Sequence, residues 1–229
     1  MYFRSLTAGL LSVLYATGAA AQVDLVASLE HRCYLLFEPI EVQLGIRNDS
    51  GTPVTLGPEG EAEVVLDVRD ERGALAARLE ECPVVRGTIA PGSNLVQRVN
   101  LLRCYDLRTP GAYTLRVLLV GPRETIRRGP IFFDVRRGTE EGSVQVEVPG
   151  EKEIIYRLFS LTRDGARCLL LRLERPEPAE ALGVVDFGRV LRFYRPRLRA
   201  DKMGRAHIVY QSGDTIPPVF VHAVVGPTG

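Results

Sequence analysis

The chain has no tryptophan and only three histidines in 229 residues. A Ser-His-Asp hydrolase needs a histidine beside a nucleophile on a strained turn. No G-x-S-x-G elbow is present to supply one. His31 follows the first predicted strand, and His207 and His222 fall inside later ones, where each reads as a sheet or strand-end residue. The four cysteines, Cys33, Cys82, Cys104 and Cys168, include no C-x-x-C spacing, so neither a thioredoxin-like site nor a zinc knuckle is supported. The formal net charge is +1, which argues against a general role on nucleic acid or a membrane surface. Sugar recognition usually needs exposed aromatic platforms. Tryptophan is absent, and Tyr113, Phe133 and Tyr156 fall at core-like positions. These shortages predict a chain that is not an enzyme, with no cofactor and no metal ion.

One apolar run stands out. Residues 1–21 read as a secretory signal peptide, with Arg4, an uncharged stretch from Leu6 to Ala20, and Ala19-Ala20-Ala21 before Gln22. Small residues there suit a signal peptidase, and the stretch is short for a membrane span of about 20 residues. The expectation is a mature chain from Gln22, secreted or periplasmic and not an integral membrane protein. In that oxidising setting four cysteines allow three pairings. Cys82 with Cys104 closes the shortest loop within one unit and is the candidate disulfide. Cys33 and Cys168 then either staple two units together or remain as buried thiols.

Alternation with period two fills the rest. Val23, Leu25, Ala27 and Leu29 share a face, as do Val42, Leu44 and Ile46. The same holds for Val64, Leu66 and Val68, for Leu95, Val99 and Leu101, for Tyr113 to Leu119, and for Ile131, Phe133 and Val135. Strict alternation means one buried and one wet face, because successive strand side chains point opposite ways. Asn48-Asp49-Ser50-Gly51, Asp70-Glu71-Arg72-Gly73, Asp164-Gly165 and Asp201-Lys202-Met203-Gly204 supply turn chemistry between runs. The pattern predicts an all-β chain: a β-sandwich over 22–137, a polar linker over 138–142, and a smaller β-rich domain over 143–229. Within the latter, strands are expected at Val144–Val148, Ile154–Leu161, Arg167–Leu173, Val184–Leu191, Ala206–Tyr210 and Val219–Val225. A short helix is the reading for Pro178–Leu182.

Charge divides unevenly between these units. Residues 22–150 hold 15 basic and 19 acidic side chains, and residues 151–229 hold 13 basic and 9 acidic. Arg195, Arg197 and Arg199 fall two apart, hence on one face of an extended segment. They form a candidate stripe for an anion or partner: phosphate, a sulfated glycan or an acidic protein. A solvated face or a charged sheet edge is the plainer account, and the acidic first unit is a third counterpart. Glu59, Glu61 and Glu63 read as a wet strand face. Asp201 and His207 are explained by a hairpin, with Asp201 capping the turn and His207 leading the returning strand.

Two segments resemble known architecture. Phe37-Glu38-Pro39-Ile40-Glu41-Val42 leading into Arg47-Asn48-Asp49-Ser50-Gly51 resembles the opening of immunoglobulin-like or fibronectin-III-like sandwich domains of secreted bacterial proteins. Pro110-Gly111-Ala112-Tyr113-Thr114-Leu115 is similar to their Tyr-bearing strand, and the resemblance implies a tyrosine-corner bond from Tyr113. Leu115 stands where antibody-type domains carry a cysteine, so this is not an antibody domain. Arg195–Asp201 with Gly204–Tyr210 resembles a single propeller-like hairpin of secreted bacterial proteins, and one copy cannot close a propeller. The functional expectation is a non-enzymatic binding or structural module. Its partner would be a protein or cell-envelope component, with no nucleic acid. The alternative is a protease inhibitor acting through loops of the first sandwich, such as Asp70–Gly73.

Overall fold

A computed structural model describes residues 23–80, 82–83, 85–122, 124–147, 153–176, 180–191 and 193–227. The expected signal peptide, residues 1–21, lies outside the described residues. Among those described, everything regular is strand except a single 3-10 turn at Leu101–Arg103. The fold is all-β: a sandwich of two sheets followed by a second pair of packed sheets.

Two sheets form the first sandwich. One orders β1 (Val23–Leu29), β3 (Glu41–Asn48) and β7 (Asn94–Asn100). The other orders β2 (Cys33–Leu35), β9 (Thr125–Arg136), β8 (Gly111–Val120) and β5 (Glu63–Asp70). A short ladder, β4 (Val54–Leu56) with β6 (Gly87–Ile89), lies apart from both. The alternating residues do what alternation demands. Leu25, Val42, Leu44, Ile46 and Val99 from one sheet meet Val68, Tyr113, Leu115, Val117 and Phe133 from the other in one buried cluster. Tyr113 stacks on Phe133, and its hydroxyl donates to the Thr109 carbonyl at 2.6 Å, which is a tyrosine-corner bond. Asn48 is fully buried; its amide donates to the Thr52 and Ile89 carbonyls, and its Oδ1 accepts from Ser50, so the Asn48–Gly51 turn is held from inside. The Cys82 and Cys104 sulfurs stand 2.13 Å apart as a disulfide.

The second pair of sheets follows the same plan. β10 (Thr139–Val146), β11 (Ile154–Arg163), β12 (Ala166–Arg175) and β13 (Glu180–Arg189) form one. β14 (Arg197–Ala200), β15 (Ala206–Gln211) and β16 (Phe220–Val225) form the other. Ile154, Tyr156, Leu158, Leu169, Leu171 and Leu173 pack against Ala206, Ile208, Tyr210 and Val225. The β11–β12 hairpin is buried on its other face too. Phe159, Leu161, Cys168 and Leu170 join Cys33 and Leu35 of β2 in a cluster between the two sandwiches. The unbroken run Cys168-Leu169-Leu170-Leu171 is the sequence mark of a strand without a wet face. Cys33 and Cys168 are both buried as free thiols, so the two units are joined by packing and not by a disulfide.

Two expectations are corrected. The polar stretch 138–142 is not an open linker: β10 starts at Thr139 and pairs with β11 from Ser160 onward, with a bulge between Glu140 and Gly142. Polarity suggested a loop because an edge strand needs backbone partners and not an apolar face. Here the Ser160 hydroxyl donates to Glu141 at 2.6 Å, and Arg167 pairs with the same carboxylate. Gly138 turns the chain at φ 71°, where a Cβ would come within 2.8 Å of the Leu35 side chain. The short helix is also absent over Glu180–Leu182, which belongs to β13 and takes its hydrogen bonds from β12; Pro178 and Ala179 lie outside the described residues.

Candidate interaction face on the last sheet

Register determines which side chains the three-stranded sheet turns outward. Ala200, Ala206 and Val225 stand in line, as do Leu198, Ile208 and Ala223, and Leu198, Ala206, Ile208, Ala223 and Val225 pack into the core. The intervening lines are Arg199, His207 and Val224, then Arg197, Val209 and His222, then Gln211 with Phe220. These point to the opposite side, as side chains one residue apart must. Arg197 and Arg199 are exposed on this outer face, and Arg195 is exposed just before β14. Of the three arginines expected on one face, Arg197 and Arg199 share the outer face of β14, and Arg195 precedes the strand. The three make no ion pair or side-chain hydrogen bond among the described residues. The acidic first sandwich does not neutralise them.

Elsewhere many arginines are engaged. Arg69 holds Asp67, Arg108 holds Asp106, Arg128 holds Asp24 and Arg157 holds Glu174. Beside the unpaired stripe lies exposed apolar surface. Tyr194 and Phe220 are each 60 % exposed and meet edge to face at 5.2 Å. Phe193, Val209, Val219 and Val224 add to it. Sequence reading missed these aromatics, because Tyr194 lies outside any strand and Phe220 opens one. β16 pairs only with β15 among the described strands, so its outer edge is free.

Behind the stripe the Asp201–Gly204 turn is fixed tightly. Asp201 Oδ1 accepts from the Met203 and Arg205 amides at 2.9 and 3.0 Å, and Gly204 closes the turn at φ 75°. The buried Tyr156 hydroxyl donates to the Gly204 carbonyl at 2.8 Å, tying the turn to the core. Asp201 Oδ2 accepts from Arg205 Nε at 2.8 Å and lies 3.1 Å from His207 Nε2. The Arg205 amide and His207 together hold the Asp201 carboxyl well below the usual carboxylate range. His207 Nδ1 in turn lies 3.0 Å from His222 Nε2, with the two rings 17° from parallel. The hairpin account of Asp201 and His207 holds, and His222 joins them through the β15–β16 register.

The remaining candidates are dispersed. His31 is half-buried against Tyr34, and burial lowers its pKa. Glu59, Glu61 and Glu63 are exposed, and Glu61 accepts from the Thr55 amide at 3.3 Å. The Asp70–Gly73 loop is rigid, since Asp70 Oδ1 accepts from the Arg72 and Ala74 amides at 2.9 Å, but its tip is Glu71-Arg72, charged and not apolar. Among the described residues no group of three or more His, Cys, Asp or Glu side chains is arranged to hold a metal ion, and no helix is long and apolar enough to cross a membrane.

The chain matches no protein-family model and no curated protein. Among solved structures, the crystal structure of the YadV chaperone is similar at 14 % identity and a TM-score of 0.29, over 88 % of this chain and 100 % of that one.

Proposed function

We propose that this chain is an exported, non-enzymatic binding module whose outer β14–β16 face takes an acidic partner, a protein segment or cell-envelope component. The observation that carries the reading is the row of three exposed, unpaired arginines beside the Tyr194–Phe220 pair. Arginine is the side chain best shaped to grip carboxylates in pairs. Alternate residues of an extended strand repeat at about 6.8 Å, which is also the repeat along any extended peptide laid beside it. An acidic strand with alternating carboxylates therefore matches the spacing of Arg197 and Arg199, with Arg195 just before the strand, and the adjoining aromatics supply the apolar contact that gives interfaces most of their energy. The rigid turn at Asp201 keeps β14 in place without a partner, so the face is ready-made.

The test is capture of acidic segments from the envelope extract of the native host. The chain from Gln22 retains such segments, and a variant with Arg195, Arg197 and Arg199 all changed to Ala does not. Equal capture by both proteins contradicts the reading.

A further inference from the structure

We infer that the free edge of β16 takes a second copy of this chain: two β16 strands pair antiparallel about His222 and join two three-stranded sheets into one of six. Bonding parity decides which backbone groups point outward. The Ser212 amide donates to the Val219 carbonyl at 2.9 Å, and the Asp201 amide donates to the Arg205 carbonyl at 3.0 Å. Bonded and unbonded pairs alternate along an antiparallel ladder. Both bonds give the same answer: on β15 the backbone groups of His207 and Val209 face β14, and those of Ala206, Ile208 and Tyr210 face β16. Val221, Ala223 and Val225 therefore bond to β15, while Phe220, His222 and Val224 turn both N–H and C=O to the open edge. Among the described residues no hydrogen bond takes up those outward groups.

The other edges of this molecule are guarded, and this one is not. An open edge is normally blunted by charge, proline, a bulge or shortness, because it is a template for another strand. Among the described strands, every other sheet edge longer than three residues carries charge: Asp24 on β1, Glu63 on β5, Arg98 on β7, Glu140 on β10, Asp186 on β13 and Arg197 on β14. β16 reads Phe220-Val221-His222-Ala223-Val224-Val225, with no Asp, Glu, Lys, Arg or Pro and no break in its register. Phe220 is 60 % exposed and Val224 47 %. The strand thus offers a paired row of backbone groups and an apolar side-chain face at the same place.

A second copy fits because the edge is complementary to itself. The outward groups are spaced evenly about His222, so a two-fold axis there sets Phe220 opposite Val224 of the second copy, His222 opposite His222, and Val224 opposite Phe220. Each of these pairs exchanges two backbone bonds. Side chains of directly opposed residues lie about 5 Å apart on one face. Each Phe220 ring, already met by Tyr194 at 5.2 Å, then packs on a valine of the other copy. Charge permits the contact. With strands about 4.8 Å apart, the two β14 strands stand about 24 Å from each other, well beyond the screening length of about 8–10 Å. The contact is small: one short ladder with Phe220 and Tyr194 from each copy, where a fully buried aromatic contributes about 150–250 Å2. That lies at the low end of specific interfaces, so association is weak. The seam uses none of the arginines on or before β14, so it stands independently of the acidic-partner reading.

The experiment is sedimentation equilibrium of the chain from Gln22 between about 1 μM and 1 mM, with amide hydrogen exchange at both ends of that range. The expected result is a monomer–dimer equilibrium with a Kd on the order of 10–100 μM. The Phe220, His222 and Val224 amides exchange freely in dilute solution and slow several-fold at high concentration, while the Val221 and Ala223 amides are protected throughout. Val224→Lys puts a charge on the edge and Val224→Pro removes an outward donor that β15 does not use. Each weakens dimerisation more than about tenfold and keeps the native circular dichroism. A chain that stays monomeric to about 1 mM overturns the inference and leaves the edge to an extended segment of another protein. A dimer that persists in Val224→Lys, or that forms without slowing those three amides in the unaltered chain, overturns it as well.

Discussion

Arg163, at the end of β11, reaches across to the first sandwich and donates through Nη2 to both carboxylate oxygens of Glu38, each at 2.7 Å. Its side chain is only 3 % exposed. Nη1 also donates to Asp186 at 2.6 Å and Nε to the Cys33 carbonyl at 2.9 Å, so each nitrogen of the guanidinium has a partner. The Leu35 amide donates to Glu38 as well. This contact joins residues 125 apart in sequence and pins the two sandwiches at one point. Removing one partner of a buried pair leaves the other charged and unsolvated. Arg163→Met should therefore destabilise the protein by about 3–5 kcal/mol in urea unfolding. A loss within the range of an exposed pair, under about 1 kcal/mol, contradicts the assignment.

The same pair sets a pH dependence. Burial pushes the Glu38 carboxyl above its ordinary value, against the opposing pull of Arg163 and the Leu35 amide. A raised folded-state pKa means that the folded protein binds the proton more tightly than the unfolded chain. Its contribution is present below the ordinary carboxylate value and lost as pH rises through the higher folded one. Relative to Glu38→Gln, the unaltered protein should lose stability between about pH 4 and pH 7. Parallel urea curves for the two proteins at both pH values measure it, and a difference that stays constant or grows in favour of Glu38 refutes it.

How far the sequence reveals this fold depends on the kind of strand. β3 and β8 are legible because Val42, Leu44, Ile46 and Tyr113 to Leu119 alternate without a break. β2, β4 and β6 have three residues each, too few to show a period. The polar start of β10 looks like a linker for the reason that edge strands need only backbone partners. The shared face of Arg197 and Arg199 is visible from spacing alone, since both lie along one strand. Glu38 with Arg163, and His222 with His207, are not visible, because each pairing is decided by how distant strands register and pack.

Tyr113 offers a clean probe of the first sandwich. Its hydroxyl satisfies the Thr109 carbonyl while the ring packs on Phe133. Tyr113→Phe keeps the ring and removes the donor, so it should cost about 1–3 kcal/mol in urea unfolding with the native spectrum retained. No measurable loss would place the hydroxyl in contact with water instead.

The cysteines divide by role. Cys82 and Cys104, separated by 22 residues, close a loop, and replacing both with Ala should cost about 3 kcal/mol. Cys33 and Cys168 are buried, and burial raises the pKa of both thiols, which lowers their thiolate fraction. An alkylating reagent should label neither in the folded protein and both after unfolding without reductant, as read by mass spectrometry. Labelling of the native protein would show that the contact between the sandwiches opens readily.

The exposed arginines on and just before β14 are expected to bind acidic partners. The most direct measurement is the affinity of the chain from Gln22 for polyglutamate as a function of salt, beside the triple Arg195→Ala, Arg197→Ala, Arg199→Ala variant. The account predicts binding by the unaltered protein that weakens steeply as salt screens the contacts, and loss of that binding in the variant. Because the three side chains are exposed and unpaired, the variant should unfold within about 0.5 kcal/mol of the unaltered protein. Salt-independent affinity, or affinity equal in the two proteins, contradicts it.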